Sequence, residues 1–276
     1  MSRKPLDRRA LFASGAAAAF LAAAGVSAGP LPHRGGKLRL ALSGAARSDD
    51  WSHGDGLFMQ VARQGLIYET LTEIAADGTL HGELATGWTS SADARVWVFD
   101  LRSGVLFHDG KPFTAADVIH SLAALGDIQA VSRGRVQITL ATPDPSLPFT
   151  LSQASYVIRP VHAPDAGIGT GLYRVRHFSP GQQLLAERLT QHWRDGQAGW
   201  FDKVELVSIP SEAVRAQALA EYLVDGADIA DVSALKGFED VTQWSGHAVS
   251  RSVAMPVALG RGMFDDLRAP QRWWGA

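Results

Sequence analysis

The sequence predicts a mixed α/β fold, with helices packed on a mixed sheet. Three observations carry that reading. Short stretches of alternating polar and apolar residues recur along the whole chain. Two segments begin with a capping hydroxyl and continue into an apolar stripe. Turn residues punctuate the stretches between them, and no block of strands or of helices is segregated.

Taken in order, Lys37 to Leu42 alternates as a strand with one buried face would, and a polar, Gly-containing loop from Ser43 to Gly56 follows it. Gly56 to Thr70 carries Leu57, Val61, Leu66 and Ile67 and is expected to be helical in part. Asp77-Gly78 is a turn signal. Arg95 to Leu101 reads as a strand with Trp97, Phe99 and Leu101 on one face. Ser103-Gly104 and Asp109-Gly110 are turns. Thr114 is expected to cap a helix, since its hydroxyl can satisfy a free first-turn N–H. Asp117 puts negative charge near the positive end of that helix, and Val118, Leu122 and Leu125 supply its stripe. Val136, Ile138 and Leu140 mark another strand, and Asp144 to Pro148 a loop. Gly171 to Arg188 reads as a hairpin around Ser179-Pro180-Gly181, and Lys203 to Ile209 as a strand. Ser211 caps a helix carrying Val214, Ala218, Leu219 and Tyr222, which Asp225-Gly226 ends. The pattern fades from Phe238, and Arg272 to Ala276 reads as a frayed end.

The chain has 276 residues, with 46% hydrophobic and 20% charged, as expected of a globular protein. Its formal charge of −2 argues against a basic nucleic-acid footprint. It has no cysteine, which excludes disulfides, thiolate metal sites, cysteine nucleophiles and a lipid-modified N-terminal cysteine.

Residues 1–28 have the layout of a secretory signal peptide. Arg3, Lys4, Arg8 and Arg9 precede an apolar run from Ala10 to Ala24, and Val26-Ser27-Ala28 offers a small-residue cleavage site. The run falls short of the roughly 20 residues a membrane span needs. Arg8-Arg9 followed by Leu11 and Phe12 points to the twin-arginine route. Asp7, standing where Ser or Thr is usual, keeps the general secretory route open. Removing the signal leaves 22 basic and 27 acidic residues, a formal charge of −5. The expected product is a soluble periplasmic chain.

Several motifs then resemble one family. They are Leu84-Ala85-Thr86-Gly87-Trp88, the run from Trp97 to Val118 containing Phe107-His108-Asp109-Gly110-Lys111-Pro112-Phe113-Thr114-Ala115-Ala116-Asp117, and Gly169-Thr170-Gly171-Leu172-Tyr173, with Leu172 where proline is usual. Glu187-Arg188 with His192-Trp193, and Ala218 to Asp228, continue the order. Over about residues 37–232 the chain resembles the family 5 extracellular solute-binding proteins, the oligopeptide, dipeptide and nickel binders of ABC importers. The resemblance implies the first lobe of a periplasmic-binding-protein type II-like fold plus a smaller β-rich subregion, at residues 29–268, with a tail at 269–276. Family members run on into a second lobe, and a hinge closes the two lobes over ligand. Here Phe264 to Arg268 resembles the entry to that second lobe. The acidic group that pairs with a peptide's amino terminus lies in the second lobe and has no counterpart to carry over. A natural short homologue with a changed role, a truncated gene, and a second lobe supplied by another protein chain all remain open.

The resemblance implies capture of a small solute or peptide, with ABC importer membrane subunits as partners and no cofactor. The alternative is a non-transporting homologue that acts as a protein-interaction module in the periplasm. Catalysis is not expected: H-E-x-x-H, G-x-S-x-G and G-x-x-x-x-G-K-[ST] are all missing. Gly167 to Gly171 mimics a phosphate loop but reads as a tight turn ahead of a hairpin. The histidines lack zinc spacing, and Asp225, Asp228 and Asp231 read as a turn with solvated carboxylates rather than a calcium loop. His108 and Asp109 read as fold residues, and Trp88 and Trp97 as core. Trp273-Trp274 reads as a docking anchor or as a consequence of truncation. The ligand-binding candidates are Trp51 and His53, in the loop after the first strand, and Tyr156 and Arg159, where the chain returns toward the cleft.

Overall fold

The computed structural model describes residues 34–52, 54, 56–74, 79–236, 241–245 and 252–256. The signal peptide, His53, the Asp77-Gly78 turn, Trp273-Trp274 and the 269–276 tail lie outside the described residues.

The first strand, β1 (Lys37–Leu42), keeps its expected bounds, with Leu38 and Leu40 buried. A short helix, α1 (Leu57–Gln60), runs on into a π-helical turn, Val61–Ile67. Leu57, Phe58, Met59, Val61, Ala62, Leu66 and Ile67 are all buried, and the polar Gln64 is buried with them. A two-stranded sheet, β2 (Thr72–Ile74) with β3 (Leu80–Gly82), leads to β4 (Ala85–Ser90) and β5 (Val96–Leu101). Helix α2 (Ala115–Leu122) begins at a capping box, in which the Thr114 N–H and hydroxyl both donate to Asp117 Oδ2 at 2.8 Å. Strands β6 (Asp127–Ser132) and β7 (Arg135–Thr139) complete an antiparallel sheet of order β4-β5-β7-β6. This is the β-rich subregion. Its core holds Trp97, Phe99, Phe107, Val118, Val136, Ile138 and Ile158, with Trp88 packed at the margin.

After a short helix α3 (Leu147–Thr150), the chain forms the hairpin of β8 (Tyr173–Ser179) and β9 (Gln183–Arg188), then β10 (Lys203–Ser208) and helix α4 (Glu212–Ala220). Strands β11 (Gly226–Ile229), β12 (Val241–Ser245) and β13 (Ser252–Pro256) follow. Among the described residues these build a mixed sheet of order β12-β13-β11-β1-β10-β9-β8. The central strand β1 runs parallel to both β10, with Leu40 opposite Leu206, and β11, with Ala41 opposite Ala227.

Several expectations are corrected. Val214 and Tyr222 do not belong to the buried stripe of α4: they are 51% and 49% exposed, and Ala216 and Leu219 pack inward instead. Tyr222 adopts a φ of 58°, a left-handed conformation that ends the helix. The chain does not lose its pattern after Phe238, because β12 and β13 add to the sheet edge. Strand β6 escaped the sequence reading because only Ile128 of its six residues is buried.

Candidate functional site

In sheets with parallel strands, ligands gather at the carboxyl ends of those strands. Here β1, β10 and β11 share that end, and the 43–56 loop springs from it. Asp228, on β11, fixes the loop's root. Its Oδ1 accepts from the Ser43 N–H at 2.8 Å and its Oδ2 from the Ser43 hydroxyl at 2.6 Å. Arg215 on α4 reaches the same point. Its Nε donates to the Asp228 carbonyl at 2.8 Å and lies 3.2 Å from the carboxylate, while its Nη1 donates to the carbonyls of Ile209 and Pro210. Asp228 is therefore not a solvated carboxylate; it is 4% exposed. The loop closes where Gly44 meets Gly56, and a Cβ on Gly56 would sit 1.7 Å from the Gly44 carbonyl oxygen.

Trp51 is buried in the main core, with its ring 4.8 Å from Phe178 and 6.2 Å from Tyr68. Gly167, at φ +67°, lies directly against that ring. The neighbouring Ser52 meets Arg159 and Asp165. Arg159 Nη1 donates to Ser52 Oγ at 2.8 Å and to Asp165 Oδ1 at 2.9 Å, and the Ser52 hydroxyl donates to the same carboxylate. The Arg159 backbone is pinned to α2, since its N–H donates to Ser121 Oγ at 2.9 Å. The Tyr68 phenol is buried within the field of Arg63, Arg159 and Asp165, and burial raises its pKa.

The structure thus brings Arg159 to the residue beside Trp51. Tyr156 packs on the β-rich core instead, and His53 is outside the described residues. Sequence reading missed Ser52, Tyr68 and Asp165. Of the three, only Ser52 lay in a segment the sequence had singled out, the polar 43–56 loop.

The Gly167–Gly171 turn seats this group and is held by two histidines. His108 Nε2–H donates to the Gly171 carbonyl at 2.9 Å, while Nδ1 accepts from the Gly169 N–H at 3.2 Å. His192 Nε2–H donates to the Thr170 carbonyl at 2.8 Å, while Nδ1 accepts from the Arg194 N–H at 3.1 Å. Each ring is thereby fixed in its neutral Nε2–H tautomer. No group of three or more metal-ligating side chains gathers among the described residues. No described helix is long and apolar enough to cross a membrane.

A loop rising from the carboxyl ends of parallel strands, beside a separate β-rich layer, is the architecture of a periplasmic binding protein lobe. The ABC transporter-associated periplasmic binding protein DppA of Helicobacter pylori, solved in complex with the peptide STSA, superposes with a TM-score of 0.68 at 21% identity, covering 79% of this chain and 52% of that one. The chain belongs to the bacterial extracellular solute-binding proteins, family 5, whose "family 5 Middle" model matches residues 79–269. It is 28% identical over 195 residues to the nickel-binding periplasmic protein of Escherichia coli K12, covering 60% of this chain and 36% of that protein. It is 32% identical over 143 residues to the HTH-type transcriptional regulator SgrR of Salmonella typhimurium LT2, covering 46% of this chain and 25% of the regulator. The chain therefore spans between a quarter and about half of the length of these proteins.

Proposed function

We propose that this chain is a periplasmic solute-binding component of an ABC importer that takes a peptide or similar small solute. The observation that carries the reading is the Ser52–Arg159–Asp165 group, held beside the buried Trp51 at the carboxyl end of the parallel strands. Arg159 supplies charged donors for a solute carboxylate or carbonyl, and Asp165 holds the guanidinium in place until solute arrives. Trp51 acts from beneath, as the seat of the loop. Tyr156 and His53 are proposed as further solute-binding residues, without a part in that group.

Thermal melting of residues 29–276 against dipeptides, oligopeptides and nickel tests this. A solute at 100 times its Kd should stabilise the folded chain by about 2.7 kcal/mol, a rise of several degrees in Tm. Arg159→Ala is expected to weaken that solute about tenfold or more, as loss of a charged hydrogen bond does. A cooperative melt that shifts with none of these solutes would sink the importer reading.

Export is proposed through the twin-arginine route with cleavage after Ala28. Replacing Arg8 and Arg9 together with lysine should leave the precursor in the cytoplasm, checked by cell fractionation and N-terminal sequencing. Export of that variant at the wild-type rate would instead favour the general secretory route.

A second reading is a non-transporting periplasmic interaction module, completed or engaged by another protein chain. It is favoured by the similarity to SgrR, a protein named for regulation rather than transport. Co-purification with a second chain, without solute response, would support it.

A further inference from the structure

A cavity of about 390 Å3 is walled by Glu73, His81, Arg102, Trp193, Arg194 and Gln197, none of which takes part in the Ser52–Arg159–Asp165 group. Most charges around it are already engaged. Glu83 is fully buried, and its Oε2 accepts from the Thr70 N–H at 2.8 Å and the Thr70 hydroxyl at 2.7 Å. Glu69 is also fully buried, and both its oxygens lie within 3.2 Å of the Trp193 indole nitrogen. Arg194 pairs with Glu73 and lies 3.8 Å from Glu83.

Arg102 differs. Its guanidinium lies 3.9 Å over the Trp193 ring, and its Nε donates to the Glu83 carbonyl at 2.8 Å. Those two contacts fix the plane and the rotation of the group. Among the described residues, neither of its η nitrogens has a hydrogen-bond partner. Partial burial, with the Arg194 charge nearby, works against its charge by more than the Glu69 and Glu73 carboxylates favour it, so a matching anion would relieve the remaining cost.

We propose that this cavity binds a small organic carboxylate, gripped end-on by the two η nitrogens of Arg102, with its remaining polar groups meeting His81 and Gln197. A guanidinium fork matches a carboxylate in two parallel hydrogen bonds. Because the ring contact and the Nε bond already hold the fork, little side-chain freedom is lost on binding. The volume falls in the range of small-molecule sites and exceeds what one inorganic anion fills, which favours an organic ligand.

Titration calorimetry at fixed ionic strength, with citrate, acetate and inorganic phosphate as separate probes, tests the proposal. Saturable citrate binding is expected, with acetate weaker and phosphate weakest. Arg102→Lys keeps the charge but loses the fork, and should weaken citrate about tenfold or more. His81→Glu, at an exposed position, places a competing carboxylate beside Arg102 and should abolish citrate binding, with a small fall in Tm because it also faces Glu73 across the β2–β3 pair. Absence of saturable citrate binding, phosphate binding as tightly as citrate, or wild-type affinity in both variants would overturn it. Solute response at the Ser52–Arg159 group is read separately through Arg159→Ala, so either idea can fail alone.

Discussion

Asp228→Ala should destabilise the chain by about 3–5 kcal/mol, the usual loss when one partner of a buried ion pair is removed. The reason lies in what would be left behind. The Arg215 side chain is only 4% exposed and would keep its carbonyl contacts but lose its closest carboxylate. Glu212, at 3.7 Å and more exposed, compensates poorly. The Ser43 N–H would lose its acceptor at the root of the 43–56 loop. For a domain of this size the loss corresponds to a fall of roughly 10 °C in Tm. Asp228→Asn keeps one acceptor oxygen for Ser43 and should lie between the two. The Arg39–Asp225 pair is a control, with side chains 35% and 17% exposed. Solvent screening weakens that pair, so Asp225→Ala should cost about 1–2 kcal/mol, part of it the lost acceptor of the Arg39 N–H. Denaturant melts of the three variants measure the order. Equal losses for Asp228→Ala and Asp225→Ala would refute the burial argument.

The same residue shows where sequence reasoning stops. Features set by neighbours in the chain were legible. The Thr114 cap, the β8–β9 hairpin and the Ser211 cap each depend on residues a few positions apart, and each stands as expected; the structure adds the return bond that makes the first a capping box with Asp117. The strands of the family signature were legible because Trp97 and Phe99 alternate cleanly with less buried residues. Asp228 was not, because its role depends on Ser43, 185 residues away, and on all four residues of β11 being buried. Asp225, Asp228 and Asp231 look equivalent in the sequence; only the topology puts one inside. The candidate site behaves likewise. Arg159 could be chosen from its place in the chain, and Asp165 lies six residues on, but Ser52 reaches them only through a loop 107 residues upstream of Arg159. Trp51 carried the aromatic signal of a binding surface, and the structure gives it a core position.

Acidification should cost a further large share of stability, and His108 should set the window. The residue as a whole is only partly buried, but its ring turns inward onto the Gly169–Gly171 turn. Desolvation of that ring lowers its pKa to about 4, against 6.5 for the unperturbed side chain, and outweighs the Gly171 carbonyl, which favours protonation. Glu69, His192 and Arg174 also face the ring, the first raising and the other two lowering its pKa. Between pH 6.5 and 4 the unfolded chain therefore holds a proton that the folded chain refuses. Stability is full above about pH 6.5, falls by up to about 1.4 kcal/mol per pH unit on the way down, and levels near pH 4 after a loss of about 3 kcal/mol. Asp109, Asp93, Glu187 and Asp231 have lowered pKa values, so their contributions are lost lower, as pH falls through the acid side of the ordinary carboxylate range. His108→Gln keeps a side-chain donor for the Gly171 carbonyl but cannot take up the proton. It should be less stable than wild type at pH 7.5 and should lose the slope between pH 6.5 and 4.5. Unfolding free energies across that range, measured on both proteins, decide the matter. An unchanged slope in His108→Gln would move the titration to another group, and a flat wild-type profile would mean that the ring is protonated in the folded chain as readily as in the unfolded one.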